Sequence, residues 1–318
     1  MRDSLTNQTI LVTGGAGFIG SHLVDQLIQL GVKQVIAVDN LFLGKEANLT
    51  EAINHGCIFL QGDIEVAATL SFLFNEYSID TVFNCATKAL NYSFINPADA
   101  YQTNTNGVIN LLEYLRQGQY KTLCHFSTSE VYGTAVYEPM DEQHPRNPTT
   151  TYAAGKAAAD LAVEAYVRMF DLDAFIVRPF NNYGPRQNYQ GQLASIIPLT
   201  ITRLLAGEAP EIHGTGEQSR DFIYVNDTVS AITQLYDVLP AGDSVNIATQ
   251  NQLSIKALIT ELCEQMDYHG EIITKPARPA DVTAHNASNQ KLYRLINPSI
   301  TPLKKGLAKT IEWYTLLE

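Results

Sequence analysis

Thr9-Ile10-Leu11-Val12-Thr13-Gly14-Gly15-Ala16-Gly17-Phe18-Ile19-Gly20 decides how this chain folds. Five residues of buried-strand character run into a glycine turn, and the turn opens a helix predicted from Ser21 to Leu30 and closed by Gly31. Gly14 permits the tight turn. Gly17 lets the backbone approach a phosphate with no Cβ in the way, and Gly20 lets the helix pack close on the sheet. The amides at the helix N-terminus, around Phe18 and Ile19, then face any anion lying over the turn. A lone glycine pattern is weak. Here it has the right strand before it, the right helix after it, and an acid, Asp39, closing the next apolar run, Gln34 to Val38.

Working outward, the same rhythm repeats. Cys57 to Leu60, Thr81 to Cys85, Thr122 to Ser127 and Ala174 to Arg178 read as further strands. Val66 to Tyr77, Asn104 to Gln117 and the Ala-rich Tyr152 to Phe170 read as helices between them. Continuous apolar strands alternating with helices predict an α/β fold, a Rossmann-type doubly wound parallel sheet covered on both faces. After Arg178 the rhythm weakens and Pro and Gly cluster, between Pro179 and Gly216 and again between Pro276 and Pro302. The domain reading is a dinucleotide-binding body over 1–178, with later contributions from about 222–250. A smaller, discontinuous lobe takes 179–221 and most of 251–318.

The chain has 318 residues, 45% of them hydrophobic and 17% charged, with a net charge of -12. That charge argues against general nucleic-acid binding, which needs cations to neutralise phosphates. It leaves room for a small phosphorylated substrate held by a few placed arginines. No apolar run is long enough for a membrane span, and strand-like sequence begins too early for a signal peptide. The cysteines, Cys57, Cys85, Cys124 and Cys263, form no CxxC pair, so no disulfide framework and no metal site is indicated. These features fit a reducing cytoplasm.

A carboxylate at Asp39 accepts hydrogen bonds from ribose hydroxyls and repels a 2′-phosphate, and Asn40 beside it is neutral. NAD is therefore favoured over NADP, with Lys45 nearby keeping the choice open. Asp63, in Gly62-Asp63-Ile64, reads either as a partner of the adenine amino group or as a helix N-cap; the two are compatible. Tyr152 and Lys156 stand at i and i+4 on one helix face. A free phenol has a pKa near 10, and a neutral-pH base needs it lower by roughly 3 units, about 4 kcal/mol of differential stabilisation. A neighbouring ammonium and a positively charged nicotinamide ring would supply it together. Thr128 ends a strand at the carboxyl edge of the sheet, where such folds bind ligands. Ser129 and Glu130 follow. Glu130 reads as a solvated loop carboxylate or, beside Thr128, as a general base.

These residues, with Asn104, Arg178-Pro179-Phe180-Asn181-Asn182-Tyr183-Gly184-Pro185-Arg186, Gly214 to Phe222, Arg278-Pro279-Ala280-Asp281-Val282 and Gly306 to Tyr314, make the chain resemble the extended short-chain dehydrogenase/reductase family over nearly its whole length. The likeness is to the nucleotide-sugar epimerases, dehydratases and decarboxylases. The resemblance implies NAD, with Asn104 in its site, and a nucleoside-diphosphate sugar, expected to be UDP-linked, in the second lobe. It implies that Asn181 or Asn182, Arg186, Arg220 and Arg278 hold the substrate, Arg220 having a surface pair with Asp221 as its plainer reading. It also implies a homodimer through the helices that begin at Asn104 and Tyr152. Thr128-Ser129-Glu130 resembles the 4,6-dehydratases, most closely the UDP-N-acetylglucosamine branch. A 4-epimerase, which needs no carboxylate there, and a UDP-glucuronate decarboxylase are the competing readings, with a non-catalytic NAD sensor a distant fourth.

Overall fold

The computed structural model describes residues 2–277 and 286–317. The first half of the chain runs β1 (Thr9–Thr13), α1 (Phe18–Gln29), β2 (Gln34–Asp39), α2 (Thr50–Asn54), β3 (Ile58–Gln61), α3 (Ala67–Glu76), β4 (Thr81–Asn84), α4 (Pro97–Arg116), β5 (Thr122–Phe126), α5 (Thr151–Phe170) and β6 (Asp173–Pro179). It continues with β7 (Asn181–Tyr183), α6 (Ile196–Leu205), β8 (Glu211–His213), β9 (Ser219–Tyr224), α7 (Val225–Val238), β10 (Ser244–Ile247), β11 (Gln252–Ser254), α8 (Ile255–Gln265), β12 (Ile273–Lys275), α9 (Gln290–Leu295) and α10 (Leu303–Thr315).

Seven parallel strands form the main sheet in the order β10-β6-β5-β4-β1-β2-β3. The chain reverses its direction of travel between β1 and β4, and the carboxyl ends of those strands open the crevice where such sheets take ligands. Alternation along the strands explains why whole runs are apolar. Ile10 and Val12 pack into one core with α1 and α7, while Leu11 packs into the other with α3, α4 and α5.

Capping chemistry sets the helix starts. Asn96 accepts from the Asp99 amide with Pro97 at the first helical position, so α4 begins seven residues before the predicted Asn104. Thr150 caps α5 by accepting from the Ala153 amide. α1 starts at Phe18, inside the glycine motif rather than at Ser21, because Gly17 itself is the N-cap. The helix amides therefore lie at the turn.

The second half divides by element. β7, β9 and β11 form a separate three-stranded sheet, and β8 pairs with β12. With α6, α8 and α10 they enclose a core that includes Tyr183, Ile201, Phe222, Leu258 and Tyr314. α7 returns to the main sheet through Val229, Ile232 and Leu235, and α9 does so through Leu292. No helix among the described residues is long and apolar enough to cross a membrane.

α4 and α5 lie side by side, and Gly155 sets how closely. A Cβ on Gly155 would stand 2.8 Å from the Tyr101 carbonyl oxygen on the facing helix. That approach fixes α5, and α5 carries Tyr152 and Lys156. Replacing Gly155 by Val should force the helices apart at a cost of about 1–3 kcal/mol. The urea midpoint should fall at an unchanged slope, and an unmoved midpoint would show that the close approach carries no packing constraint.

Candidate active site

Two clefts meet at the carboxyl edge of the main sheet. One, of about 250 Å³, is lined by Gly14, Gly17 to Gly20, Asp39, Asn40, Asp63, Ile64 and the Cys85–Ala89 loop after β4. The other, of about 430 Å³, is lined by Thr128, Ser129, Glu130, Tyr152, Lys156, Asn181, Asn182 and Arg220, with residues of the smaller lobe opposite. Phe18, Ile19, Cys85, Thr87 and Ala89 line both, so the two spaces adjoin; after the expectations drawn from the sequence, the first is called the dinucleotide-side cleft and the second the sugar-side cleft.

The glycine turn is packed to the limit of backbone contact. A Cβ on Gly14 would stand 2.8 Å from Ala86, and one on Gly20 would run into the Gly14 carbonyl oxygen. Asp39 holds the turn from below: its carboxylate accepts from the amides of Ala16 at 3.1 Å and Leu41 at 2.8 Å. Burial pushes its pKa up, and the bonds from Leu41, Ala16 and Gly17 pull it back. Asn40 donates to Asp63 at 2.8 Å, and the other Asp63 oxygen accepts from the Glu65 amide. Asp63 is thus an Asx-turn residue rather than a helix N-cap, since α3 starts after Val66. Amides that donate at a helix end, glycines that admit close approach and an accepting carboxylate at the end of β2 are the groups a dinucleotide requires, and the residues present fit it.

Tyr152 stands in the sugar-side cleft beside the Thr128 and Thr87 hydroxyls. Burial and the Glu130 charge push its phenol up to about 12, while the two hydroxyls pull it down. This shift runs opposite to the lowering that a base at neutral pH would need. Lys156 is 2% exposed and donates to the Phe126 carbonyl at 2.8 Å. Burial lowers it to about 8, and the Asp160 carboxylate opposes that fall. Thr128 also caps the short turn Ser129–Tyr132, accepting from the Glu130 amide. One hydroxyl thereby orients both the phenol and the acidic loop.

The remaining predicted residues separate. Asn104 does not line either cleft. It sits behind the β4 loop, accepting from the Lys88 amide and the Thr87 hydroxyl and donating to the Lys88 carbonyl, so it acts by pinning that loop. Asn181 and Asn182 line the sugar-side cleft, but their amides donate to the carbonyls of Asp221 and Phe180. Arg186 stands in the dinucleotide-side cleft instead of the sugar-side one. Its positive φ of 65° turns it toward α1, where it pairs with Asp25 at 2.7 Å. Arg220 reaches the sugar-side cleft; the Asp221 beside it is directed instead to the Thr249 and Gln250 amides. Arg278 lies outside the described residues.

Sequence reasoning missed Lys88, Phe42 and Gln187. The Lys88 ammonium lies 3.6 Å from the centre of the Phe42 ring and 5.5 Å from that of Tyr92, with Asp99 at 3.8 Å. This cation–π contact ties the loop after β2 to the loop after β4 across the dinucleotide-side cleft. The signal available was position: both loops follow the carboxyl ends of strands near the switch point. Gln187 lines the sugar-side cleft and donates to the Asn182 carbonyl.

Comparison with known proteins gives a consistent picture. The model of the NAD dependent epimerase/dehydratase family matches residues 10–248. A UDP-glucose 4-epimerase of Mycolicibacterium smegmatis is 33% identical over 309 residues, covering 96% of this chain and 97% of the relative. A dTDP-D-glucose 4,6-dehydratase of Bos taurus is 30% identical over 316 residues, covering 96% and 88%. Among solved structures, a UDP-glucose 4-epimerase from Thermotoga maritima with UDP-glucose superposes with a TM-score of 0.92 at 34% identity, over 98% of this chain and 100% of that one. A dTDP-glucose 4,6-dehydratase from Streptomyces venezuelae with NAD and TYD bound gives 0.91 at 30%, over 97% of each chain. The glycine turn and the Tyr152–Lys156 pair thus stand on a fold shared with both enzyme types, and the chain belongs to the NAD-dependent nucleotide-sugar epimerase/dehydratase family.

Proposed function

We propose that this chain is a nucleotide-sugar 4,6-dehydratase. One observation carries the reading: Glu130 lines the same cleft as Thr128, Ser129 and Tyr152, close enough for its charge to raise the Tyr152 phenol. A carboxylate at that place has work in an elimination and none in a simple inversion at C4. A 4-epimerase is the second reading, favoured by epimerase relatives of similar identity.

Gly14, Gly17, Phe18, Ile19 and Gly20 would hold the NAD pyrophosphate, with Asp39, Asn40, Asp63 and Ile64 toward its adenosine end. When bound, the dinucleotide supplies the acceptor for the C4 hydride and later its donor to C6. Tyr152 Oη takes the proton of the C4 hydroxyl, and Thr128 Oγ1 holds the same oxygen. Oxidation at C4 acidifies the C5 hydrogen, which Glu130 removes. Ser129 is a poor proton donor compared with a carboxylic acid, so Glu130 gives that proton to the departing C6 hydroxyl, which leaves as water. Hydride return to C6 leaves an enolate that takes one proton at C5, and the proton held by Tyr152 is released in exchange, so that both side chains return to their starting forms. Arg220, with Asn181 and Asn182, would meet the sugar diphosphate by charge-assisted bonds. A homodimer through α4 and α5 would cover their exposed Tyr101, Leu161, Met169 and Phe170.

Purified protein incubated with a panel of nucleoside-diphosphate sugars and followed by proton NMR should develop a C6 methyl signal. Inversion at C4 without a methyl would establish the epimerase instead. Glu130→Gln should keep NAD bound and lose roughly 10²–10⁴-fold in elimination rate; full turnover by that variant would remove Glu130 from the mechanism. Gly20→Ala should weaken NAD binding at least about tenfold in calorimetry, because helix and turn can no longer close on each other. Undiminished affinity would place the dinucleotide elsewhere.

A further inference from the structure

The polar groups behind Lys156 follow from strand register. Thr13 pairs with Asn84 and Asn84 with His125 across β1, β4 and β5, and Arg178 pairs with Asn246 across β6 and β10. Thr13 has the parity of Leu11, Asn84 that of Val82, His125 that of Leu123 and Arg178 that of Ile176, all on the sheet face covered by α4 and α5. Near the carboxyl ends, that face changes from apolar to polar side chains. All of these residues are buried, His125 fully.

Their hydrogen bonds have a direction. The Ala86 amide donates to Thr13 Oγ1, which donates to Asn84 Oδ1 at 2.6 Å. The Asn84 amide nitrogen then faces His125 Nδ1 at 3.3 Å and donates to it. A neutral His125 with Nδ1 accepting carries its proton on Nε2, and Nε2 stands 3.8 Å from Asp160 Oδ1. Burial and the charges of Lys156 and Arg178 hold this imidazole well below its usual pKa, hence neutral. The other Asp160 oxygen accepts from Arg178 at 3.0 Å. Arg178 also donates to Tyr132 Oη and Ser244 Oγ. Asp160 is wholly buried, and it follows Lys156 by one helical turn, as Lys156 follows Tyr152.

A carboxylate so placed is more than a partner for Arg178. We propose that Asp160, gripped by Arg178 and lying at the end of the Thr13–Asn84–His125 row, is the positioning residue that keeps Lys156 an ammonium ion in the dry site beside the Tyr152 phenol. The assignment rests on the reading of Tyr152 and Lys156 as the reacting pair. Among the described residues, the titratable or charged groups that act on Lys156, share its cleft or act with it on His125 include Cys85 after β4, His125 on β5, Glu130 after β5, Arg178 on β6, and Tyr152 and Asp160 on its own helix. Cys85 is held protonated by burial and His125 is neutral. Arg178 repels an ammonium and Tyr152 is a neutral phenol, whereas the Asp160 charge favours the Lys156 ammonium; burial pushes the Asp160 carboxyl up, and Arg178 and Ser127 pull it back toward the ionised form. Losing that charge disfavours the ammonium, so Lys156 should release its proton at lower pH.

The test reads Lys156 directly. Full-length protein labelled with carbon-13 at lysine Cε is titrated by NMR, the Lys156 signal being the one absent from Lys156→Arg. In Asp160→Asn the titration should fall by about one pH unit, a tenfold change in acid constant, and Asp160→Glu should restore most of it. If Asp160→Asn fails to fold, the double variant Asp160→Asn with Arg178→Gln removes the charge together with its partner, and a smaller shift in the same direction is expected, because the more distant repulsion from Arg178 is lost as well. An unchanged Lys156 titration in the folded variant overturns the assignment. In the active enzyme the alkaline limb of kcat/KM should move with the titration, a displacement that loss of packing alone would not produce. A shifted Lys156 in a protein that converts no nucleotide sugar would sink the functional reading and leave the role of Asp160 standing.

Discussion

A parallel sheet brings every strand's carboxyl end to one edge, and the active-site geometry follows from that constraint. The glycine turn follows β1, the Asp39 carboxylate ends β2, the Cys85–Ala89 loop follows β4 and Thr128 follows β5. Because the connections reverse between β1 and β4, the loops there diverge and leave a crevice. In an antiparallel sheet half of these groups would lie at the opposite edge.

That convergence brings charge into a region with little water. Tyr152 is raised and Lys156 lowered by the same burial. Each would lose its useful form unless opposite charge were placed near it. The buried Asp160–Arg178 pair meets the need on one side. Its cost is contained because Arg178 is shared among Asp160, Tyr132 and Ser244, so the charges are hydrogen-bonded as well as paired. The polar row across the sheet face is also why the α5 side of the core changes character near the site: Leu11, Val82 and Leu123 lie along the strands, while Thr13, Asn84 and His125 lie at their ends.

The clefts are closed by elements that are distant in sequence. Lys88 bridges two loops by resting over the Phe42 ring, which itself packs edge-on against Tyr92. The smaller lobe supplies the far wall of the sugar-side cleft through residues of α6, β8, β9 and α8. Asp221, buried beside Arg220, joins β9 to the 249–250 segment that follows β10, coupling that wall to the main sheet.

Periodicity and turn chemistry alone determined the rhythm of the first six strands and the helices between them, the glycine cradle, the acid ending β2 and the Tyr152–Lys156 face. Each rests on local spacing: period two in a strand, i and i+4 in a helix, and glycine where a Cβ cannot fit. Even the early start of α4 was legible in Asn96-Pro97, an N-cap followed by proline. Tertiary structure alone decided that Asn104 braces a loop, that Arg186 turns to Asp25, that Lys88 sits over the Phe42 ring and that Asp160 lies behind Lys156. Those facts depend on which strands are neighbours and on how close two helices approach, and no local spacing encodes either.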